Sequence, residues 1–98
     1  MKAYLQIDLD IVDLEGFMEY AQRIPTMIEK HSGRYLVQGV EPTPMQGEQK
    51  YPQRSVLLEF PTKEDAQSFL MERATTDLHE IWERCTNSCI LLLEGCTE

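Results

Sequence analysis

Along residues 3–11 apolar and polar side chains alternate without a miss. Ala3, Leu5, Ile7, Leu9 and Ile11 share one side; Tyr4, Gln6, Asp8 and Asp10 share the other. A period of two predicts a strand with one apolar face. The period then lengthens. Leu14, Phe17, Met18, Ala21, Ile24 and Ile28 fall at helical spacing behind Asp13, whose carboxylate suits an N-cap. Pro25 inside that stripe predicts a kink or a loosened turn, because its ring meets the carbonyl of Ala21. The helix is expected to end at His31-Ser32-Gly33, with Gly33 in the left-handed position that glycine adopts cheaply.

A second strand, 34–41, should begin at once, with Tyr35, Val37 and Val40 giving it β character and Gly39 marking a bulge or a close approach. Residues 42–53, rich in Pro, Gln and Gly, read as a long exposed arm. A third strand, 54–60, places Val56, Leu58 and Phe60 on one face and Ser55, Leu57 and Glu59 on the other. Thr62 with Asp65 three residues on resembles a capping box, and Ala66, Phe69 and Leu70 form the stripe behind it. Ala74-Thr75-Thr76 lowers helix propensity and offers a second cap, so this helix should be broken before Leu78, Ile81, Trp82 and Cys85. Asn87-Ser88 reads as a turn, and 89–94 as the last strand, closed by Gly95.

The order β-α-β-β-α-β predicts an α+β fold: a ferredoxin-like sandwich, a four-stranded antiparallel sheet with its helices on one face and the second helix broken. Residues 1–98 suffice for one such domain. The face without helices would still carry Tyr4, Gln6, Leu36, Leu57 and Leu91. Apolar groups there are costly to leave wet, which predicts a homodimer packed sheet to sheet, with a small pocket between sheet and helices or between subunits.

A net charge of −8 argues against nucleic acid or an anionic membrane as partner. No run approaches the ~18 apolar residues of a membrane span, and the N-terminus lacks the basic and apolar regions of a signal peptide, so a cytoplasmic location is expected. Three cysteines, Cys85, Cys89 and Cys96, cannot all pair, and none sits in a ligand spacing, so free thiols and no zinc site are expected. Asp8, Asp10 and Asp13 look like a cluster in print, but Asp13 is used as a cap and no fourth ligand is in sight; neither a metal nor a cofactor is expected.

Met1-Lys2-Ala3-Tyr4, Glu19-Tyr20-Ala21, His31-Ser32-Gly33-Arg34-Tyr35-Leu36, Gly39, Glu41 and Gly47 recur in order with Arg54, Leu58-Glu59-Phe60-Pro61, Ala66, Phe69, Arg84 and Leu93-Glu94-Gly95. In that order and spacing the chain resembles, over nearly its whole length, the small bacterial proteins grouped as domain of unknown function 1330, within the dimeric α/β-barrel superfamily. The resemblance implies a ferredoxin-like fold and a dimer, and no particular activity; the wider superfamily includes cofactor-free monooxygenases and haem-degrading enzymes. The chain departs from the family's pattern at Gln38-Gly39-Val40, where a basic residue and paired glycines are usual. It departs again at Arg73-Ala74-Thr75-Thr76, where a Ser-Pro-Glu-Tyr-like turn is usual.

Six residues are candidates for a ligand site. His31, Arg34, Tyr35 and Arg54 would make a cationic, hydrogen-bonding pocket for a carboxylate, since an arginine fork matches that group. Against that, His31 also suits a helix C-terminal dipole, and the arginines have Glu41 and Glu59 within reach. Tyr4 and Tyr20 would donate phenolic protons, or serve as amphipathic packing at an interface. His79 has no visible partner and reads as a surface histidine, and Trp82 as core. The leading function is a homodimer that binds a small organic molecule, an anionic one where the arginines face it. The alternatives are a cofactor-independent enzyme of monooxygenase or isomerase type, and a structural dimer without a ligand.

Overall fold

The computed structural model describes residues 1–96. Its elements are β1 (Ala3–Ile11), α1 (Leu14–Lys30), β2 (Arg34–Val40), β3 (Arg54–Phe60), α2 (Lys63–Ala74), α3 (Asp77–Cys85) and β4 (Thr86–Glu94). Every helix starts on a side-chain cap, which satisfies an amide that the helix itself leaves free. The Asp13 carboxylate accepts from the Gly16 N–H at 3.4 Å, the Thr62 hydroxyl from the Asp65 N–H at 3.1 Å, and the Thr76 hydroxyl from the Leu78 N–H at 3.2 Å. The helical segment after β3 is thus two helices, separated at Thr75 and Thr76. α1 runs through Pro25 as one element.

The end of α1 differs from the sequence expectation in which residue does what. It closes in a Schellman turn, with Gly33 N–H donating to the Ile28 carbonyl and Ser32 N–H to that of Glu29, both at 2.9 Å. The left-handed residue is Ser32, at φ 64°, not Gly33. Gly33 is there for space. A Cβ on it would lie 2.5 Å from Phe60 Cε1 and 2.9 Å from Ile28 Cγ2, well inside van der Waals contact. Gly39 does the opposite: its φ of 68° lets β2 bulge, and nothing approaches within 4 Å of where its Cβ would be.

The strands form one antiparallel sheet in the order β2-β3-β1-β4, the ferredoxin-like topology. β4 starts three residues earlier than expected. No turn is needed at Asn87 and Ser88, because Thr86 itself leaves the helix in an extended conformation (φ −138°, ψ 154°) while its hydroxyl donates to the Trp82 carbonyl at 2.8 Å. Asn87 and Ser88 then pair with Asp10 and Leu9 of β1.

The three helices cover one face of the sheet. Leu5, Leu9, Leu58 and Phe60 on that face are fully buried, against Ile24 and Ile28 of α1, Phe69 of α2, and Ile81 and Trp82 of α3. Arg23 locks α1 to the start of α3 through two bonds to the Asp77 carboxylate, at 2.7 and 3.1 Å.

The other face carries no helix. One row across all four strands there reads Val37, Leu57, Gln6, Leu91, and the next reads Arg34, Glu59, Tyr4, Leu93. The register places Val37, not Leu36, opposite Leu57; Leu36 lies at a shift in the pairing of β2. Among the described residues, no helix is long and apolar enough to cross a membrane.

Candidate functional site

Covering a twisted sheet with helices leaves a gap where α1 passes over β2 and β3. The gap is a cavity of about 200 Å³, lined by Ile7 of β1, Phe17, Tyr20 and Ile24 of α1, Tyr35, Gln38 and Gly39 of β2, Arg54 and Val56 of β3, Phe69, and Trp82. Its walls are mostly apolar and aromatic, with a few polar groups, the usual make-up of a small-molecule site. The bulge at Gly39 contributes directly. Gln38 pairs with Val56, which puts it on the helix-covered face as part of the cavity lining.

The aromatic wall is built from two elements. The rings of Tyr20 and Trp82 stand 4.7 Å apart between centroids, tilted by 42°, and Phe17 lies 6.4 Å from Trp82 on the same side. The indole N–H donates to the Ser88 hydroxyl at 2.7 Å, which fixes the plane of Trp82. Behind this wall sits Arg73, 6% exposed, on the buried stripe of α2 with Ala66 and Phe69. Its Nη1 donates to the Tyr20 hydroxyl at 3.0 Å, its guanidinium carbon lies 5.8 Å from the Trp82 ring centroid, and its Nε is buried with no partner among the described residues. Burial pushes the Tyr20 phenol above its ordinary range, against the opposing effect of Arg73; burial also raises that of Tyr35.

The six sequence candidates fall into three places. Tyr20, Tyr35 and Arg54 line the cavity together. Tyr4 and Arg34 lie on the opposite face of the sheet, where Arg34 Nε donates to Glu59 Oε1 at 2.8 Å. His31 caps α1 and bonds through Nε2 to Glu72 Oε1 at 2.8 Å, next to the bond from Lys30 Nζ to the same carboxyl group at 3.0 Å. The four-residue cluster of His31, Arg34, Tyr35 and Arg54 is therefore divided by the sheet itself. Arg34 and Tyr35 are neighbours in a strand, so their side chains point to opposite faces.

Arg73 was absent from those candidates, although a signal was available. Ala66, Phe69 and Arg73 repeat at i, i+3 and i+7, so the helical stripe that Ala66 and Phe69 define runs through an arginine.

The aspartates of β1 are each employed separately. Asp8 accepts from the Ser55 hydroxyl at 3.0 Å, Asp10 from the Gln53 N–H at 2.8 Å, and Asp13 caps α1. Gln53 also receives the Ile11 N–H on its side-chain oxygen at 3.1 Å, so the 42–53 arm is pinned to the end of β1 at its last residue. Cys85 is buried and Cys89 and Cys96 are exposed, all as free thiols, and burial pushes the Cys85 thiol up.

Comparison with known proteins places this geometry. The model of the family described as "Domain of unknown function (DUF1330)" matches residues 2–96. No curated protein matches the sequence. Among solved structures, a protein of unknown function from Rhodopseudomonas palustris superposes with a TM-score of 0.74 at 11% identity, over 99% of this chain and 84% of that one. SnoaB, a cofactor-independent oxygenase from Streptomyces nogalater, superposes with a TM-score of 0.61 at 9% identity, over 99% and 95%. A dimeric ferredoxin-like protein from an uncultured marine organism follows at 0.53 and 11%, over 100% and 97%. At these identities the likeness is one of fold.

Proposed function

The chain belongs to the DUF1330 family of domains of unknown function, and from that premise we propose that it binds a small organic molecule in the cavity between α1 and the sheet. The observation that carries this reading is the cavity of about 200 Å³ with an aromatic wall and four side chains that carry polar groups, Tyr20, Tyr35, Gln38 and Arg54. The cavity opens to solvent on one side, and a ligand filling it would take its largely apolar wall out of water at about 25 cal/mol per Å². Trp82, the chain's single tryptophan, lines the cavity and reports on occupancy.

Native mass spectrometry of freshly purified protein, followed by titration of Trp82 emission with small aromatic acids and phenols, tests the reading. Retained mass or a saturable emission change is expected, and Ala21→Phe, which puts a ring into the cavity at a position of α1 that lines it, should abolish it. A protein that carries nothing and whose emission none of these compounds alters has no such function.

We also place the homodimer in this reading, with the helix-free face as its interface. Support comes from Leu57, Leu91, Leu93 and Val37 in adjacent rows on that face, with Leu91 and Leu93 nearly half exposed in the single chain. The dimeric relative of the same fold points the same way. The second reading is a cofactor-independent enzyme working in the same cavity. It draws on Tyr20, a protonated phenol beside a buried cation, and on the fold shared with a cofactor-independent oxygenase. Turnover of a retained ligand, followed by oxygen uptake or by change of its mass, separates it from binding alone.

A further inference from the structure

Arg73 is the only charged side chain among the buried described residues. A buried guanidinium normally meets a carboxylate, because an unpaired charge away from water is costly to keep. Here no carboxylate among the described residues pairs with it. Glu72, its neighbour in the chain, turns the other way to Lys30 and His31. Arg73 is left with the Tyr20 hydroxyl, the face of Trp82, and an Nε that donates to nothing described.

The hydrogen-bond roles follow from the donor inventory. Arginine has only donors, so in this bond the Tyr20 oxygen must be the acceptor. The phenol's own proton is then left over, and it makes no hydrogen bond to the described residues. Tyr20 lines the cavity. Tyr20 thus carries an unused donor with an uncompensated positive charge one hydrogen bond behind it. Any oxygen acceptor would satisfy the donor. A neutral acceptor leaves the buried charge as it was, whereas an anion also balances it. A carboxylate holds its charge on two strongly hydrated oxygens and wants a pair of donors. A phenolate or enolate offers one oxygen, and its delocalised ring or double bond suits the aromatic wall of Phe17, Tyr35 and Trp82.

We infer that the Tyr20 and Arg73 pair is the anion-selecting pole of this cavity, and that the ligand class is a conjugated oxyanion, a phenolate or enolate, accepting the Tyr20 proton as a hydrogen bond while Arg73 balances its charge. The inference rests on the cavity being a binding site. On binding, a neutral phenol releases its proton to bulk water; Tyr20 keeps its own.

4-Nitrophenol tests this, because its phenolate absorbs in the visible and its phenol does not. Titrated with pH in the presence of excess protein, the bound phenol should ionise about one pH unit lower than free in solution, a tenfold preference for the anion. Tyr20→Phe removes the donor but keeps the Arg73 charge, so it should bind the neutral form as well as the parent does and retain a smaller shift. The double variant Tyr20→Phe with Arg73→Met removes the stranded charge along with the hydroxyl, and should bind without a shift. Binding with an unchanged or raised ionisation point in the parent protein overturns the oxyanion pole and leaves the cavity a neutral binding site. Absence of any binding takes the cavity reading down, and this inference with it.

Discussion

The two faces of the sheet are made by the same four strands, and adjacent residues meet opposite fates. Phe60 and Leu58 are buried under helices, while Glu59 between them pairs with Arg34 on the open face. The covered face is closed by side chains of this chain alone, apart from the cavity near α1. The open face has an apolar middle, with Leu57 and Leu91 flanking Gln6 across β1, and polar margins, with Arg34 bonded to Glu59 on one side and Asp8 to Ser55 on the other. An apolar centre inside a polar, hydrogen-bonded margin is the anatomy of an interface, whereas the covered face is that of a core. One face therefore sets whether the chain folds, and the other, as the proposed interface, would set what it associates with.

The largest effect should come from the covered face. Phe60→Ala removes a fully buried ring that packs on Phe69 at 5.5 Å between centroids and closes the space beside Gly33. It should lower unfolding stability by about 3–5 kcal/mol, read as a fall in the urea midpoint. Leu91→Ala, on the open face and 48% exposed, should cost the dilute single chain about 1 kcal/mol or less. Equal losses would mean that the open face is as much core as the covered one.

Why one face was easier to read than the other follows from what each depends on. The alternation in β1 and the caps Asp13, Thr62 and Thr76 are local, and local chemistry specifies them whatever lies around them. The start of β4 was misplaced because Asn and Ser favour turns only when no partner strand competes, and β1 supplies one for Asn87 and Ser88. Gly33 was assigned a conformational role when its true constraint is the ring of Phe60, twenty-seven residues away and invisible to any window around the turn. The site divided in the same way. Tyr35 and Arg54 reach the cavity from the alternation of their own strands, but Arg34 was grouped with them by adjacency in sequence, which in a strand means opposite faces. Arg73 becomes a candidate only once α2 is known to bury the stripe it shares with Phe69, a tertiary fact.

An intermediate effect should come from the centre of the open face. Leu91→Asp places a carboxylate beside Gln6 and, in the proposed dimer, places it twice, once from each copy, because a two-fold interface repeats every substitution. Burying two unpaired charges should weaken the dimer by at least about tenfold in Kd. Sedimentation velocity at micromolar concentration should then show dimer for the parent chain and monomer for the variant. A parent chain that sediments as a monomer sinks the interface reading, and Leu57, Leu91 and Leu93 would need another cover.

The smallest effect concerns two carboxylates, and it sharpens the comparison of faces. Glu59, on the open face, is held below the ordinary carboxylate range first by its hydrogen bond from Arg34; Glu72, on the helix side, is held below it by those from Lys30 and His31. A carboxyl lowered by folding adds stability above its unfolded ionisation range, and that contribution is lost as the pH falls through its folded value. Both pairs are partly solvated, so each effect is modest. Glu72→Gln should therefore narrow the gap between the melting temperatures at pH 7 and pH 3, by the same amount at every protein concentration, because its partners belong to its own chain. Glu59→Gln should narrow it too, but more at high concentration than at low, since the second sheet would withdraw the bond between Arg34 and Glu59 from solvent and strengthen it only in the dimer. If the Glu59 effect is as indifferent to concentration as that of Glu72, then no second sheet covers Glu59, and the margin of the open face stays in water.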